Sequence, residues 1–158
     1  MNEFLKGHKM ENKWHERFFT LARVVGSWSK DPSTQVGAVI VRPDRTIASV
    51  GYNGFPRGVK DHPDSYADRP VKLLRTVHAE ANAIITAREP LHGYTLYVTP
   101  LHPCANCAGL IIQAGIASVF FEIPEQSTRS AAWADHFWHM TSMFKDAGII
   151  WNKSNKID

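Results

Sequence analysis

The first third of the chain has apolar positions with the spacing of a helix, followed by two β-rich runs. Apolar residues recur at helical spacing from Lys13 to Ser29, which predicts an amphipathic helix with one buried face. The sequence KDPST ends that pattern. The runs Val36 to Val41 and Ile47 to Asn53 flank a turn with the sequence RPDRT, and this arrangement predicts a β-hairpin.

The segment that follows, from Gly54 to Arg75, is rich in Gly, Pro, Asp and Lys and shows little periodicity. It is therefore interpreted as a long irregular loop. Loops of that length are uncommon in compact domains unless they have a function. The segment is thus a candidate part of a binding site.

The second half of the chain alternates helical and strand patterns. Helices are predicted at residues 78–87, 103–114 and 133–147, and strands at residues 95–99, 118–122 and 149–151. The order α-β-β-α-β-α-β-α-β predicts an α/β fold, because strand–helix–strand crossovers favour parallel pairing of the strands. We expect a five-stranded mixed sheet with helices on its faces.

Length and composition favour one compact globular unit. The 158 residues suit a single domain over residues 1–158, and 44% hydrophobic with 21% charged residues is an ordinary globular balance. The formal net charge is +3 with scattered basic residues, which argues against nucleic-acid binding and suits a small anionic substrate. No apolar run approaches the roughly 20 residues of a membrane span, and the N-terminus lacks a signal-peptide core. We therefore expect a cytoplasmic protein with no membrane partner.

The two cysteines of the chain, Cys104 and Cys107, are spaced as a metal-binding or redox pair would be. They lie at a predicted helix start, where the helix dipole favours thiolates. Three residues apart on one helical face, they can bind the same ion. His78, at the start of another predicted helix, would supply a third ligand and leave the fourth tetrahedral position for water. This open arrangement predicts a catalytic zinc, because thiolates with an imidazole favour zinc over magnesium or calcium.

Glu80 lies two residues after His78 and points in a different direction along the helix. It is therefore interpreted as a group that takes and relays a proton from water on the metal. H-x-E followed by P-C-x-x-C is a signature of zinc deaminases that act on cytosine or adenine. The alternatives are a thioredoxin-like redox pair and a zinc-stabilised interaction module, whose closed four-ligand site would not need Glu80. His136 and His139 are interpreted as a solvated or partly packed helical face.

Four segments resemble the deoxycytidylate (dCMP) deaminases of the cytidine deaminase superfamily. They are HAEANAI, HPCANCAGLIIQAGI, SKDPSTQVGAVIV and GYNGFPRG, and the resemblance runs from about Trp14 to Phe121. It implies a three-layer α/β/α fold with a five-stranded mixed sheet, zinc as the cofactor, and conversion of dCMP to dUMP and ammonia for thymidylate supply. The zinc motif is shared by the whole superfamily, so a deaminase that acts on tRNA or single-stranded DNA is the alternative, against which the scattered charge argues.

The resemblance also implies roles for individual residues. The zinc ligands are His78, Cys104 and Cys107, with Glu80 as the proton shuttle. The substrate contacts are the side chain of Asn53 at the sugar 3′-hydroxyl, the backbone N–H of Ala79 at the pyrimidine carbonyl, and Val77 at the base. Asn53 next to Gly54 is also typical turn chemistry, which is a structural alternative for this residue.

A regulatory site is implied for some members of this family, where dCTP activates and dTTP inhibits. The corresponding turn here contains Tyr52, Asn53 and Gly54. Lys30 and Arg57 flank these elements and could neutralise a triphosphate, so they complete the candidate regulatory site. A homo-oligomer, with a hexamer as the expected assembly, is implied as well. Some members have a cysteine after GYNGxPxG that helps to hold a second zinc, and Val59 and Lys60 at that place argue against such a site here.

Overall fold

A computed structural model describes residues 12–123 and 131–154. The described residues form six helices and five strands, in the order α1 (Asn12–Gly26), β1 (Gly37–Val41), β2 (Ile47–Tyr52), α2 (Pro63–Ala67), α3 (Arg69–Arg75), α4 (Ala79–Thr86), β3 (Thr95–Thr99), α5 (Ala105–Gln113), β4 (Ser118–Glu122), α6 (Ala131–Asp146) and β5 (Ile150–Ser154). Apart from α2 and α3, every element matches a prediction to within a few residues at each end. None of the described helices has the length and apolar character needed to cross a bilayer.

The five strands form one mixed sheet in the order β2-β1-β3-β4-β5. Strand β1 is antiparallel to both of its neighbours, β2 and β3. Strands β3, β4 and β5 are parallel, as expected where α5 and α6 connect consecutive strands. The predicted hairpin and the predicted mixed sheet are therefore confirmed.

The sheet is covered on both faces, which makes the fold a three-layer α/β/α arrangement. All five residues of β1 are buried, as in a strand that is covered on both sides. Alternate residues of this strand belong to different apolar clusters: Ala38 and Ile40 join the cluster that contains α4, α5 and α6 residues, while Val39 and Val41 join the cluster around α1. This alternation is the two-residue period of a strand.

Helices approach the sheet closely where the strands lack side chains. A Cβ atom on Gly51 of β2 would lie 2.4 Å from the carbonyl oxygen of Ala79 and 2.4 Å from the backbone nitrogen of Ala83, both in α4. On β1, a Cβ atom on Gly37 would lie 1.8 Å from the carbonyl oxygen of Ala22 in α1. These contacts are with backbone atoms, so α1 and α4 lie directly on the sheet.

The interpretation of Gly54–Arg75 as one irregular loop is wrong for its second half, which forms α2 and α3. Each of these helices begins with a proline in its first turn, and the carboxylate of Asp68 caps α3 by accepting the Val71 N–H at 3.1 Å. Helix α2 has no buried residue and α3 buries only Lys72. Without a buried apolar face, neither helix produces the periodicity from which helices are predicted.

We expect Gly51→Ala to lower the free energy of unfolding by about 2–3 kcal/mol, because its methyl group would overlap with backbone atoms of α4. Urea denaturation measures this change. Gly109→Ala is the matched control: no atom lies within 4 Å of the added Cβ, and alanine is favoured over glycine inside a helix by about 1 kcal/mol. Equal stability of Gly51→Ala and the unmodified protein would contradict the close approach of α4.

Candidate metal centre and active site

The candidate site forms where two helices begin near the same edge of the sheet. His78 is the N-cap residue of α4, and Cys104 is the N-cap residue of α5, with the Cys107 N–H 3.4 Å from the Cys104 sulfur. Helix α5 follows the end of β3, and the register pairs Gly37, at the start of β1, with Tyr52 and Thr99, at the ends of β2 and β3. The ends of β2 and β3 and the start of β1 therefore lie side by side at this edge.

The three predicted zinc ligands are brought together. Nδ1 of His78 lies 3.5 Å from the sulfur of Cys104 and 3.4 Å from the sulfur of Cys107, and the ligand atoms all lie within 4.8 Å of one another. Zinc–sulfur bonds of about 2.3 Å and zinc–nitrogen bonds of about 2.0–2.1 Å, at tetrahedral angles, would place nitrogen and sulfur about 3.6 Å apart. The residues therefore fit a zinc ion. Residues 12–123 and 131–154 contain no second group of this kind.

The three side chains of this trio shift one another's pKa values. A hydrogen bond from the Cys107 thiol lowers the pKa of Cys104, and His78 lowers it further. The same interaction, together with burial, raises the pKa of Cys107. The hydrogen bond to Cys104 raises the pKa of His78. These neighbours lower the pKa of Cys104, and a lowered pKa favours the thiolate form that binds a metal ion.

Glu80 is in the first turn of α4 and is only 4% exposed. Burial raises the pKa of this carboxyl group to about 7, although the nearby His78 opposes the shift. A carboxyl group with a pKa near neutral can both accept and release a proton under ordinary conditions, which is what a general acid and base requires. Glu80 shares the cavity with His78 and Cys104 without belonging to the ligand group.

A cavity of about 410 Å³ extends from these residues to the surface, and its size suits a small ligand. Its wall includes His78, Glu80 and Cys104. The rest of the wall comes from the loop before β1, from the end of β2, from α3 and the residue that follows it, from the segment between β3 and α5, and from α5 and α6. The helix α3 thus borders the site, so the segment Gly54–Arg75 contributes to it as an ordered element.

Two of the three predicted substrate-binding residues line the cavity. Asn53 is 6% exposed; its Oδ1 accepts the Val36 N–H at 2.8 Å, and its Nδ2 donates to the Thr34 carbonyl at 2.9 Å. The amide keeps one N–H and one lone pair for a ligand, so its contact with the sugar stays a prediction.

The other two substrate-binding predictions concern residues around the start of α4. Ala79 lines the cavity at the first turn of α4, where backbone N–H groups have no acceptor within the helix. Val77 is not among the residues that line the cavity. Its N–H and carbonyl pair with Gly54 at 2.8 and 3.1 Å, which ties the approach to α4 to the end of β2. Contact of Val77 with the base stays a prediction.

The residues assigned to regulation lie around the start of the long segment, and Asn53 is the one among them that lines the cavity. The Lys30 ammonium is 2.6 Å from the Asp61 carboxylate, which also accepts the Tyr66 hydroxyl at 2.9 Å. Tyr52 is exposed and has its ring 6.1 Å from that of Trp28. The Lys30 charge is thus already paired within the chain, and nucleotide binding at this place stays a prediction.

Two further parts of the wall were missed by the sequence patterns. On α3, the Lys72 ammonium is buried and lies 3.0 Å from the Asp31 carboxylate; the proline and cap at the start of α3 are the local signals that could have identified this helix. On α6, His136 lines the cavity, and its Nδ1 accepts the Ala105 N–H at 3.1 Å. The prediction of a partly packed face holds for His136, but no local pattern indicates its place beside α5.

Comparison with known proteins agrees with this geometry. Residues 12–123 match the family model of the cytidine and deoxycytidylate deaminase zinc-binding region. An Aliivibrio fischeri protein named "Uncharacterized deaminase in luxG 3′ region" is 49% identical over 141 residues, which are 89% of this chain and 92% of the relative. The deoxycytidylate deaminase of Mus musculus is 37% identical over 147 residues, 89% of this chain and 79% of the relative.

A solved structure has the same fold. The dCMP deaminase of cyanophage S-TIM5, in complex with dCMP and dUMP, superposes with a TM-score of 0.71 at 23% identity, over 92% of this chain and 99% of the other. At that identity the likeness concerns the fold. The family model and the two relatives cover most of the described residues, including both helix starts that carry the metal-binding trio. The chain therefore belongs to the cytidine and deoxycytidylate deaminase family and is a deaminase.

Proposed function

We propose that this deaminase converts dCMP and water to dUMP and ammonia, with a zinc ion held by His78, Cys104 and Cys107. The observation that carries the proposal is the buried Glu80 carboxyl group, which lines a cavity of about 410 Å³ together with His78 and Cys104 of the zinc-compatible trio. The names of the relatives support dCMP as the substrate: the mouse relative is a deoxycytidylate deaminase, and the cyanophage protein was solved with dCMP and dUMP.

The zinc ion would supply Lewis acidity, which makes a coordinated water acidic near neutral pH. Glu80 accepts a proton from the water that attacks C4 of the cytosine ring. It passes this proton to the ring nitrogen N3, which leaves a hydroxyl group and an amino group on C4. Glu80 then takes the proton of that hydroxyl group and passes it to the amino group, so that the bond between C4 and the exocyclic nitrogen breaks, ammonia leaves and the C4 carbonyl of dUMP forms. The raised pKa of Glu80 suits this double role, because neither protonation state is strongly disfavoured near neutral pH.

The substrate contacts proposed for the base and the sugar use groups around the start of α4 and the end of β2. The Ala79 N–H donates to the pyrimidine carbonyl, Val77 contacts the base, and the remaining N–H of Asn53 donates to the sugar 3′-hydroxyl. The buried position of Asn53, which is held by two backbone bonds, supports this assignment because it fixes the amide before a ligand arrives.

The wider expectations belong to the same proposal. Residues 1–158 act as a single deaminase domain in the cytoplasm and assemble as a homo-oligomer, with a hexamer as the expected form. dCTP activates and dTTP inhibits through a site that includes Lys30, Tyr52, Asn53, Gly54 and Arg57. The exposure of Tyr52 and Arg57 supports a surface position for this site.

Purified protein is expected to contain about one zinc ion per chain, because three ligands at zinc-compatible distances bind the ion without added metal. Elemental analysis of Cys104→Ser should find the zinc lost, together with the deaminase activity. His139→Ala is the control, since His139 is exposed and lies outside the trio. Full zinc content in Cys104→Ser would contradict the ligand assignment.

Glu80→Gln is expected to lower kcat by at least about 100-fold, because the amide keeps the shape of the side chain and cannot exchange a proton. The variant should keep its zinc and its thermal unfolding midpoint. Glu16→Gln removes a carboxylate that is exposed on α1 and should leave kcat unchanged. Retention of kcat in Glu80→Gln, measured by ammonia release, would show that another group moves the protons.

The substrate class is tested by ammonia release from dCMP, dCTP, cytidine and a single-stranded oligonucleotide. We expect the highest kcat/KM for dCMP, because the cavity is the size of a small ligand and the net charge of +3 is modest. A higher rate on the oligonucleotide would favour a polynucleotide deaminase. No release from any cytosine compound by the zinc-loaded protein would contradict the proposed function.

A further inference from the structure

The basic residues that line the cavity identify a candidate for recognition of the substrate phosphate. The inference rests on the proposed function, in which dCMP is the substrate. dCMP differs from its nucleoside only by a charged 5′-phosphate. A bound phosphate needs donors, and a permanent cation gives the strongest hydrogen bonds to it. Five basic side chains line the cavity: Arg69, Lys72, His78, His102 and His136. His78 belongs to the metal-binding trio, which leaves four.

Lys72 already has its partners inside the protein. It is 4% exposed, and its ammonium lies 3.0 Å from the carboxylate of Asp31, which is 7% exposed, and 3.1 Å from the hydroxyl oxygen of Ser33. Taking either charge of such a buried pair away from the other is strongly unfavourable. Lys72 therefore acts as the attachment of α3 to the loop before β1, and its charge is matched without a ligand.

His102 is held among aromatic side chains. It is 4% exposed, its Nδ1 lies 2.7 Å from the Pro103 carbonyl oxygen, and its ring packs 4.8 Å from Trp133 and 5.0 Å from Phe137. With these contacts, the His102 ring acts as a packing residue of the cavity wall. It does not present a permanent positive charge to the cavity.

His136 is bound through its ring to the start of α5. Its Nδ1 accepts the Ala105 N–H at 3.1 Å, so this nitrogen carries no proton while the bond is present. The imidazole is then neutral, with its proton on Nε2. His136 can donate one hydrogen bond, but in this state it supplies no charge for a phosphate.

Arg69 is the remaining basic group, and its guanidinium stays charged at any relevant pH. It is exposed, and within residues 12–123 and 131–154 no carboxylate forms an ion pair with it. It begins α3, seven residues before Thr76, which corresponds to about 10 Å along a helix axis. Thr76 lies two residues before His78, and Arg69, Thr76 and His78 all line the cavity.

We propose that Arg69 binds the 5′-phosphate of the nucleotide, and that α3, which is held in place by the Lys72–Asp31 ion pair, distinguishes nucleotides from nucleosides. The phosphate is at the opposite end of the nucleotide from the reacting carbon, so it needs a cation in the cavity wall that does not belong to the metal-binding trio, and Arg69 meets this requirement. The planar guanidinium matches two phosphate oxygens at once. Arg69 acts on binding alone, since the proton transfers belong to Glu80.

The test is a comparison of dCMP with deoxycytidine in Arg69→Gln. Loss of a charge-assisted hydrogen bond should lower kcat/KM for dCMP by about 10- to 100-fold, chiefly through KM, and leave kcat/KM for deoxycytidine unchanged. Calorimetry should show the same factor in the Kd of dUMP and no change for deoxyuridine. Arg69→Lys keeps the charge but loses the planar fork, and should recover part of the loss.

Arg75→Gln is the matched control, because Arg75 is on the same helix, is exposed and bonds to Ser65 rather than lining the cavity. A loss in Arg75→Gln equal to that in Arg69→Gln would overturn the proposal in favour of a general effect of charge. Equal losses of kcat/KM for dCMP and for deoxycytidine in Arg69→Gln would overturn the proposal and indicate a structural role for Arg69. Both outcomes leave the proposed function intact, whereas a wild-type protein that deaminates neither compound would contradict the proposed function itself.

Discussion

The site depends on the direct contact between α4 and strand β2. Gly51 has no side chain to separate the two elements, so the backbone of α4 rests against the backbone of the strand. The first turn of this helix carries both His78 and Glu80. Their distance from the two cysteines on α5 is therefore determined by the packing of backbone on backbone, which has fewer alternative arrangements than packing between flexible side chains.

The cavity wall contains two kinds of buried ionisable group: an ion pair, and a carboxyl group without a lysine or arginine partner. The Lys72 ammonium and the Asp31 carboxylate are both buried and neutralise each other, and Asp31 also accepts the N–H groups of Ser33 and Thr34. Glu80 forms no ion pair with a lysine or arginine among the described residues, and burial raises its pKa to about 7 although the nearby His78 opposes the shift. The first arrangement stabilises a wall. The second leaves a carboxyl group whose charge can change during a reaction.

Local sequence signals were sufficient to predict the candidate metal-binding trio. The spacing of Cys104 and Cys107, with His78 at a second helix start, depends on short stretches of chain, and the structure brings the three together at zinc-compatible distances. Most of the fold was predictable for a similar reason, since its strands and longer helices bury apolar faces. Helix α3 was not, because its only buried residue is a lysine. The position of His136 in the cavity wall was not predictable either, because its place beside Ala105 results from how α6 packs on α5.

Helix α3 is attached through one buried ion pair and buries no apolar side chain, which has a consequence for how the protein responds to heat. Helix α2 buries none of its residues and α3 buries only Lys72, whereas α4 and α5 contribute to the apolar core. Elements with so little buried surface open at a lower free energy than the strands and helices of the core. Mild heating or low denaturant should thus release one wall of the cavity while the sheet and the metal ligands stay in place. Catalytic activity would then disappear before the fold does.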